Sequence, residues 1–121
     1  MEQELSIKTN TKNGKEYKNL DLNDLEDGNF ITVTKDGFNE AKEFDGKFGK
    51  GYICSVTYKG EPCSFIINKA EVVKDFNTLG GLGDSLIVTM SKKIGKINFK
   101  KDGKLQTRDG VIKSITITKS E

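Results

Sequence analysis

Two segments of the chain combine aromatic rings with lysines, which are the side chains that stack on nucleobases and contact phosphates. Lysines along a groove displace counterions from phosphates, and aromatic rings stack on any base. The glycine-rich segment, residues 43–51, contributes Phe44, Lys47, Phe48 and Lys50. The basic segment, residues 92–108, contributes Lys92, Lys93, Lys96, Phe99, Lys100, Lys101, Lys104 and Arg108.

Both segments also have a purely structural interpretation. The glycine-rich segment has the composition of a hinged corner between strands, with Phe44 and Phe48 packed inside. The basic segment has the composition of a solvated hairpin, since lysines protect the edge of a sheet from pairing. The residue types alone leave both interpretations open.

Overall composition predicts one folded domain with an uneven charge distribution. The chain has 121 residues and a net charge of +2. Residues 1–27 carry four lysines and seven acids, whereas residues 85–121 carry nine cations and three acids. No apolar run approaches the ~20 residues of a membrane span, and no signal peptide is recognisable at the N-terminus, so a cytoplasmic protein is expected.

The sequence lacks the residue arrangements that are typical of enzymes and metal sites. There is no histidine, no nucleophile beside a base and no metal-ligand spacing, so neither catalysis nor a cofactor is expected. The acids from Asp21 to Asp27 begin like a calcium loop, but the glycine falls at the eighth position and no glutamate occupies the twelfth. No metal is therefore predicted.

The segment from Tyr52 to Asn68 predicts a β-hairpin that turns at Gly60-Glu61. In this register Tyr58 faces Cys63, and Cys54 lies about 13 Å from Cys63, too far for a disulfide. Alternation places Tyr52, Cys54, Val56, Tyr58, Cys63, Phe65 and Ile67 on one apolar face. The aromatic residues of this face, Tyr52, Tyr58 and Phe65, either pack in the core or face a ligand. Tyr52 and Tyr58, at the ends of the hairpin, are the ones best placed to reach the surface and a ligand.

The remaining elements follow from local patterns. Residues 1–20 form either a mobile arm or a small hairpin that turns at Asn13-Gly14. A short lead-in precedes a strand at residues 30–34, and its Leu22 and Leu25 are expected to fill one end of the core. A helix begins at an Asn68/Glu71 capping box, presents Val72, Val73, Phe76 and Leu79 on one face, and ends at Gly80. Strands are expected at residues 86–90 and 111–118, with a projecting hairpin around Asp102-Gly103 between them.

This order, three strands, a helix and two more strands, resembles the oligonucleotide/oligosaccharide-binding (OB) fold over residues 20–119. Residues 22–33 also resemble the entry to the first strand in replication-protein-A-like single-strand binders. The resemblance implies a five-stranded Greek-key β-barrel at residues 21–121, with a capping helix between strands three and four. It also implies a ligand across strands two and three, held by the loops that contain the glycine-rich and basic segments.

The expected partner is therefore single-stranded DNA, bound with little sequence preference in replication, recombination or repair. RNA is an alternative ligand, because nothing in the sequence distinguishes a 2′-hydroxyl. A second alternative is a protein adaptor whose basic hairpin docks an acidic partner. Replication or repair proteins are further candidate partners, and several copies along one strand would be natural for such a protein.

Overall fold

The computed structural model describes residues 1–36, 40–46 and 49–120. Within them the chain forms eight strands and one α-helix: β1 Lys8–Lys12, β2 Lys15–Asn19, β3 Phe30–Lys35, β4 Lys42–Gly46, β5 Gly49–Tyr58, β6 Glu61–Ile67, α1 Ala70–Thr78, β7 Ser85–Lys101 and β8 Lys104–Lys119. A short 3-10 helix, Leu22–Asp24, precedes β3. The mostly β class predicted from the sequence is confirmed.

All eight strands belong to one sheet. Its order is β1-β2-β6-β5-β3-β7-β8, and β4 pairs with the first half of β5. In the described residues β6 and β8 do not pair with each other, so hydrogen bonds do not close the sheet into a barrel. β3, here called the central strand of residues 21–121, is an interior strand that pairs with β5 on one side and with β7 on the other.

The β5–β6 hairpin has the predicted faces, although the predicted register was wrong. Its turn is the two-residue Lys59-Gly60 loop, in which both residues have positive φ, at 50° and 80°. Tyr58 therefore pairs with Glu61, and Cys54 pairs with Phe65. The difference from the predicted register is two residues, and because strand faces alternate with a period of two, the apolar set stays on one face.

The corrected register brings the two cysteines closer than predicted. Cys63 pairs with Val56, so Cys54 is its diagonal neighbour, at a typical distance of about 7–8 Å. Both thiols are free and buried. Burial raises the pKa of Cys54 to about 12, partly offset by the nearby Lys35 ammonium. Such thiols pack as small apolar side chains.

Helix α1 packs its predicted face on the sheet but begins without the predicted cap. Val73 and Phe76 are buried, while Val72 and Leu79 pack partly against the core. The N-cap is Lys69, which makes no side-chain capping bond, so the Asn68/Glu71 capping box was wrong. The helix is therefore held by burial of its apolar face rather than by its first turn.

Residues 1–20 are tied to the rest of the chain. β1 and β2 form the hairpin anticipated at Asn13-Gly14, with positive φ at both turn residues. β2 meets β6 at Asn19 and Ser64. Leu5 and Leu20 are buried in the core that the sheet and α1 share, so the hairpin is anchored at both of its ends.

One buried position was not anticipated: Lys35, at the end of β3, is 1% exposed. Its Nζ donates a hydrogen bond to the Phe76 carbonyl at 2.6 Å and lies 4.8 Å from the centre of the Phe76 ring. Phe76 lies in the last turn of α1, where carbonyls lack intrahelical partners. Lys35 therefore caps the C-terminus of the helix from the central strand, where a cation also complements the helix dipole.

We expect Lys35→Met to lower the free energy of unfolding by about 1–3 kcal/mol, because the buried Phe76 carbonyl loses its donor while packing volume is kept. Lys35→Ala should cost more, about 2–5 kcal/mol, since it also leaves a cavity. Urea denaturation of the three proteins measures both changes. A Met variant as stable as the wild type would show that the hydrogen bond does not stabilise the fold.

The stabilities of the wild type and of Lys35→Met should also depend differently on pH. Burial lowers the pKa of Lys35, against the opposing effects of Cys54, Asp84 and Glu40. As pH rises, the folded state releases this proton before the unfolded state does, so the unfolded state binds more protons. The stability of the wild type relative to Lys35→Met should then rise with pH until the unfolded value of about 10.4 is reached. A constant difference over that range would contradict the lowered pKa.

Candidate nucleic-acid interface

The basic segment lies on the outer part of the long β7–β8 hairpin. The strands pair without interruption from Leu86–Lys119 to Lys101–Lys104, and Asp102-Gly103 forms the turn with positive φ at both residues, as predicted. Met90 and Ile117 are the last core residues on the two strands. Residues 92–113, here called the distal ribbon, therefore extend ten residue pairs, about 33 Å, from the core.

The two faces of the distal ribbon differ in chemistry. The outer face, which alternates with the buried side chains of β7, carries Phe99 and no acid. Its cations are Lys93, Lys101, Lys104 and Arg108. The inner face continues the core side of β7, and its charged residues are Lys92, Lys96, Lys100, Asp109 and Lys113.

The cations of the outer face are not neutralised within the described chain. Lys93, Lys101 and Lys104 have no acidic partner there. The Arg108 guanidinium lies 5.6 Å from the centre of the Phe99 ring. On the inner face, by contrast, Lys96 pairs with Asp109 at 2.6 Å. The outer face therefore has the higher density of free positive charge, next to an aromatic ring.

The outer face is shaped by two facing glycines. Gly95 and Gly110 pair directly across the strands. A Cβ at Gly95 would lie 2.5 Å from Cδ1 of Ile112, and Ile97 occupies the matching space over Gly110. Each isoleucine thus lies flat against the backbone of the opposite strand. A larger residue at either glycine would displace these side chains.

The base of the distal ribbon is fixed to the segment that precedes β3. The Lys92 amide donates to Asp27 Oδ1 at 2.7 Å, and Lys92 Nζ donates to the Asn23 carbonyl at 3.1 Å. Lys113, opposite Lys92, donates to Asn23 Oδ1 at 3.3 Å. The sequence prediction missed Lys113, because it counted cations only as far as Arg108. Lys92 and Lys113 are thus partly committed to anchoring.

The glycine-rich segment is described only in part. Lys47 and Phe48, two of its four predicted site residues, lie outside the described residues. The Phe44 ring packs on Gly51, where a Cβ would lie 2.6 Å from its Cζ. Lys50 Nζ pairs with Glu43 at 3.0 Å, an arrangement that raises the pKa of Lys50. These two residues stabilise the β4–β5 hairpin itself.

The glycine-rich and basic segments leave the central strand at opposite ends. β5 pairs with Thr34 and Lys35, so its earlier residues and β4 lie beyond the C-terminal end of β3. β7 pairs with Phe30 through Thr89, so the distal ribbon lies beyond the N-terminal end. The predicted site residues therefore form two groups along the sheet rather than one local cluster.

The two tyrosines of the β5–β6 hairpin do not form a stacking surface. Tyr58 is buried, and its hydroxyl accepts a hydrogen bond from the Leu5 amide at 3.0 Å. Tyr52 packs partly against the core. The expectation that Tyr58 reaches a ligand is thus corrected: its ring packs in the core, and its hydroxyl anchors the N-terminal segment.

A cleft of about 480 Å³ separates the β1–β2 hairpin from the base of β8. Its polar lining is rich in amides, from Asn10, Asn19, Asn23 and Asn68, and Ile66 contributes an exposed apolar surface. Lys8 at its rim pairs with Asp24 and Asp21 at 3.2 and 3.4 Å. No sequence signal identified this cleft, because its residues come from four separate segments.

Two searched features are absent from the described residues: a clustered set of metal-ligating side chains and a helix that could span a membrane. Among them, no group of three or more His, Cys, Asp or Glu side chains is arranged to hold a metal ion. The helix in the described ranges does not have the length and apolar character needed to span a membrane.

Comparison of the chain with protein families, curated proteins and solved structures finds no match.

We expect Phe99→Ala to lower the free energy of unfolding by less than about 1 kcal/mol, because the ring lies on the distal ribbon outside the core. The matched control is Phe76→Ala, which removes a fully buried ring and should cost about 3–5 kcal/mol. Chemical denaturation measures both. Equal losses in the two variants would place Phe99 in the cooperative core and remove it from the candidate interface.

Proposed function

We propose that this chain binds single-stranded nucleic acid, and that the outer face of the distal ribbon is the main contact surface. The observation that carries the proposal is the charge of residues 92–113, with eight cations and two acids on a structure that stands clear of the core. A fold gains nothing from concentrating like charges, since they repel one another. A polyanion would offset that repulsion.

The chemistry of the outer face suits a flexible single strand. Lys93, Lys101, Lys104 and Arg108 contact phosphates, and Phe99 provides a ring on which a base stacks. The Arg108 guanidinium, already beside the Phe99 ring, would place a phosphate next to the stacked base. Neither contact depends on which base is present, so little sequence preference is expected. DNA and RNA share this chemistry.

The topology supports an OB-like domain as the scaffold. The spatial order β7-β3-β5-β6 matches the 4-1-2-3 order of a Greek key, in which the fourth strand returns beside the first. Helix α1 joins the third of these strands to the fourth. We infer a partly open five-stranded barrel formed by β3, β5, β6, β7 and β8, with the gap between β6 and β8.

A fluorescence-polarisation titration with labelled oligo-dT, the RNA oligo-rU and a matched duplex tests the proposal. Four outer-face cations on a single strand predict that log affinity falls against log salt with a slope near −3, at ~0.7 per contact. Affinity for the duplex should be weaker, because its bases are not free to stack. A slope near zero, or binding to the duplex alone, would reject the proposal.

The cations can be assigned with matched variants. Lys101→Gln with Lys104→Gln removes two outer-face charges and should reduce the slope by about 1.4. The control, Lys12→Gln with Lys15→Gln, removes the same charge beside the turn of the β1–β2 hairpin, where both lysines are also exposed. It should leave the slope unchanged. Equal effects of the two double variants would show that net charge, rather than the ribbon, determines binding.

A further inference from the structure

The distal ribbon exposes more apolar surface than nucleic-acid binding explains. Its large exposed apolar side chains are Ile94, Leu105, Val111 and Ile112, and Ile94 is 83% exposed. Ile94 and Val111 are direct cross-strand partners on the inner face. Phosphate contacts do not require an aliphatic pair in water, whereas an apolar patch ringed by charge is typical of a protein contact.

The distal ribbon also has an unfilled pairing capacity. β8 is the last strand of the sheet, so its second edge pairs with no strand in the described part of the chain. Two strands alone are marginally stable in water, and a third strand is normally needed for independent stability. The ten pairs beyond the core have no such neighbour. An added strand along β8 would supply it.

We propose that a second copy of this chain supplies that strand, by antiparallel pairing of β8 with β8 of the partner subunit. An antiparallel two-fold pairing keeps each face of the sheet continuous across both copies, so opposite residues must belong to the same face. The pairing that places Val111 on the two-fold axis brings Asp109 of each copy opposite Lys113 of the other. It also forms an apolar row across four strands, from the Ile94–Val111 pair of one copy to that of the other.

Charge distinguishes this register from the others. The two adjacent registers, centred on Gly110 or on Ile112, bring no two charged residues opposite each other and so gain no charge pair. A register centred on Arg108 or on Asp109 places two like charges directly opposite each other, which destabilises a cross-strand pair. The register centred on Val111 has two opposite-charge pairs instead. Asp109 is 69% exposed although it contacts Lys96, so its carboxylate has oxygen lone pairs free for Lys113 of the partner subunit. Self-complementarity of this kind favours a second copy over an unrelated protein.

This pairing would also enlarge the proposed nucleic-acid surface. The outer faces of the two ribbons would form one four-stranded surface with twice the number of cations. In the absence of nucleic acid, repulsion between the cations of the two ribbons opposes this association. We therefore expect oligo-dT, or about 0.3 M salt, which shortens the screening length below ~8 Å, to favour the paired state.

Cysteine cross-linking tests the register. In Val111→Cys the two thiols face each other across the axis, at the ~4.5–5.5 Å separation of a cross-strand pair. The matched control is Thr107→Cys, which is exposed on the same face but lies about 26 Å from its copy in this register. The native Cys54 and Cys63 are buried and should not react. Mild oxidation is followed by a non-reducing gel, with and without oligo-dT.

The expected result is a disulfide-linked dimer of Val111→Cys, increased by oligo-dT, with Thr107→Cys remaining monomeric. Equal dimer yields in the two variants, or no dimer of Val111→Cys under either condition, would overturn the pairing. Binding of oligo-dT without a Val111→Cys dimer would reject the pairing and leave the proposed function standing. A Val111→Cys dimer without oligo-dT binding would support the pairing and reject the proposed function.

Charge exchange provides a second readout that needs no oxidation. Asp109→Lys should weaken self-association in sedimentation equilibrium by about tenfold, because both opposite-charge pairs become like-charge pairs. Adding Lys113→Asp restores opposite charges and should recover most of the loss, although the Lys96 contact stays broken. Circular dichroism confirms that each variant is folded. Failure of the double variant to recover association would contradict the register.

Discussion

The hydrogen bond from the Lys35 ammonium to the Phe76 carbonyl joins the central strand to the last turn of the helix, whose apolar face packs on the sheet. Lys35 ends β3, which pairs with both β5 and β7. The Lys35 backbone is fixed as well, since its amide donates to the Asp84 carbonyl and its carbonyl accepts from the Gly83 amide. The residues that lead into β7 are therefore held by the same position that caps α1.

Hydrogen bonds at the opposite end of β3 position the distal ribbon. The Gly28 amide donates to the Met90 carbonyl, and the Met90 amide donates to the Asn29 carbonyl. Asp27 and Asn23 then bind Lys92 and Lys113 where the ribbon leaves the core. Both ends of one strand thus fix elements that follow much later in the chain: the helix at one end and the basic hairpin at the other.

Local patterns predicted faces and turns better than registers and caps. The Asn13-Gly14 and Asp102-Gly103 turns were identified because two successive residues of these types favour positive φ. In the β5–β6 hairpin, Gly60 and Pro62 suggested a turn at Gly60-Glu61, one residue after the actual turn at Lys59-Gly60. The actual turn was harder to recognise because it places a non-glycine residue, Lys59, at positive φ. The error of two residues left the faces intact, since it is a whole period of the strand.

Lys35 and the length of the ribbon were beyond prediction for a different reason. A lysine at the end of a strand reads as a solvated residue, and its burial depends on a helix carbonyl 41 residues away. The apolar segments Leu86–Met90 and Val111–Thr118 were predicted as strands and the lysine-rich residues between them as a separate projecting hairpin. The continuous pairing of β7 with β8 through both was not predicted, because the lysines interrupt the apolar pattern. The residues that line the cleft between the β1–β2 hairpin and the base of β8 likewise come together only after folding.

The alternation of side chains between the two faces of the distal ribbon connects the fold to the proposed activity. A hairpin that only protected a sheet edge would need lysines, but it would not need to separate Asp109 from Phe99 and Arg108. The two-residue period places the acid and the Ile94–Val111 pair on one face, and the aromatic ring with four cations on the other. A single polyanion contacting the outer face would leave the inner face and the β8 edge free. The two different chemistries on one thin ribbon therefore match the two proposed partners, a polyanion on the outer face and a second copy along β8.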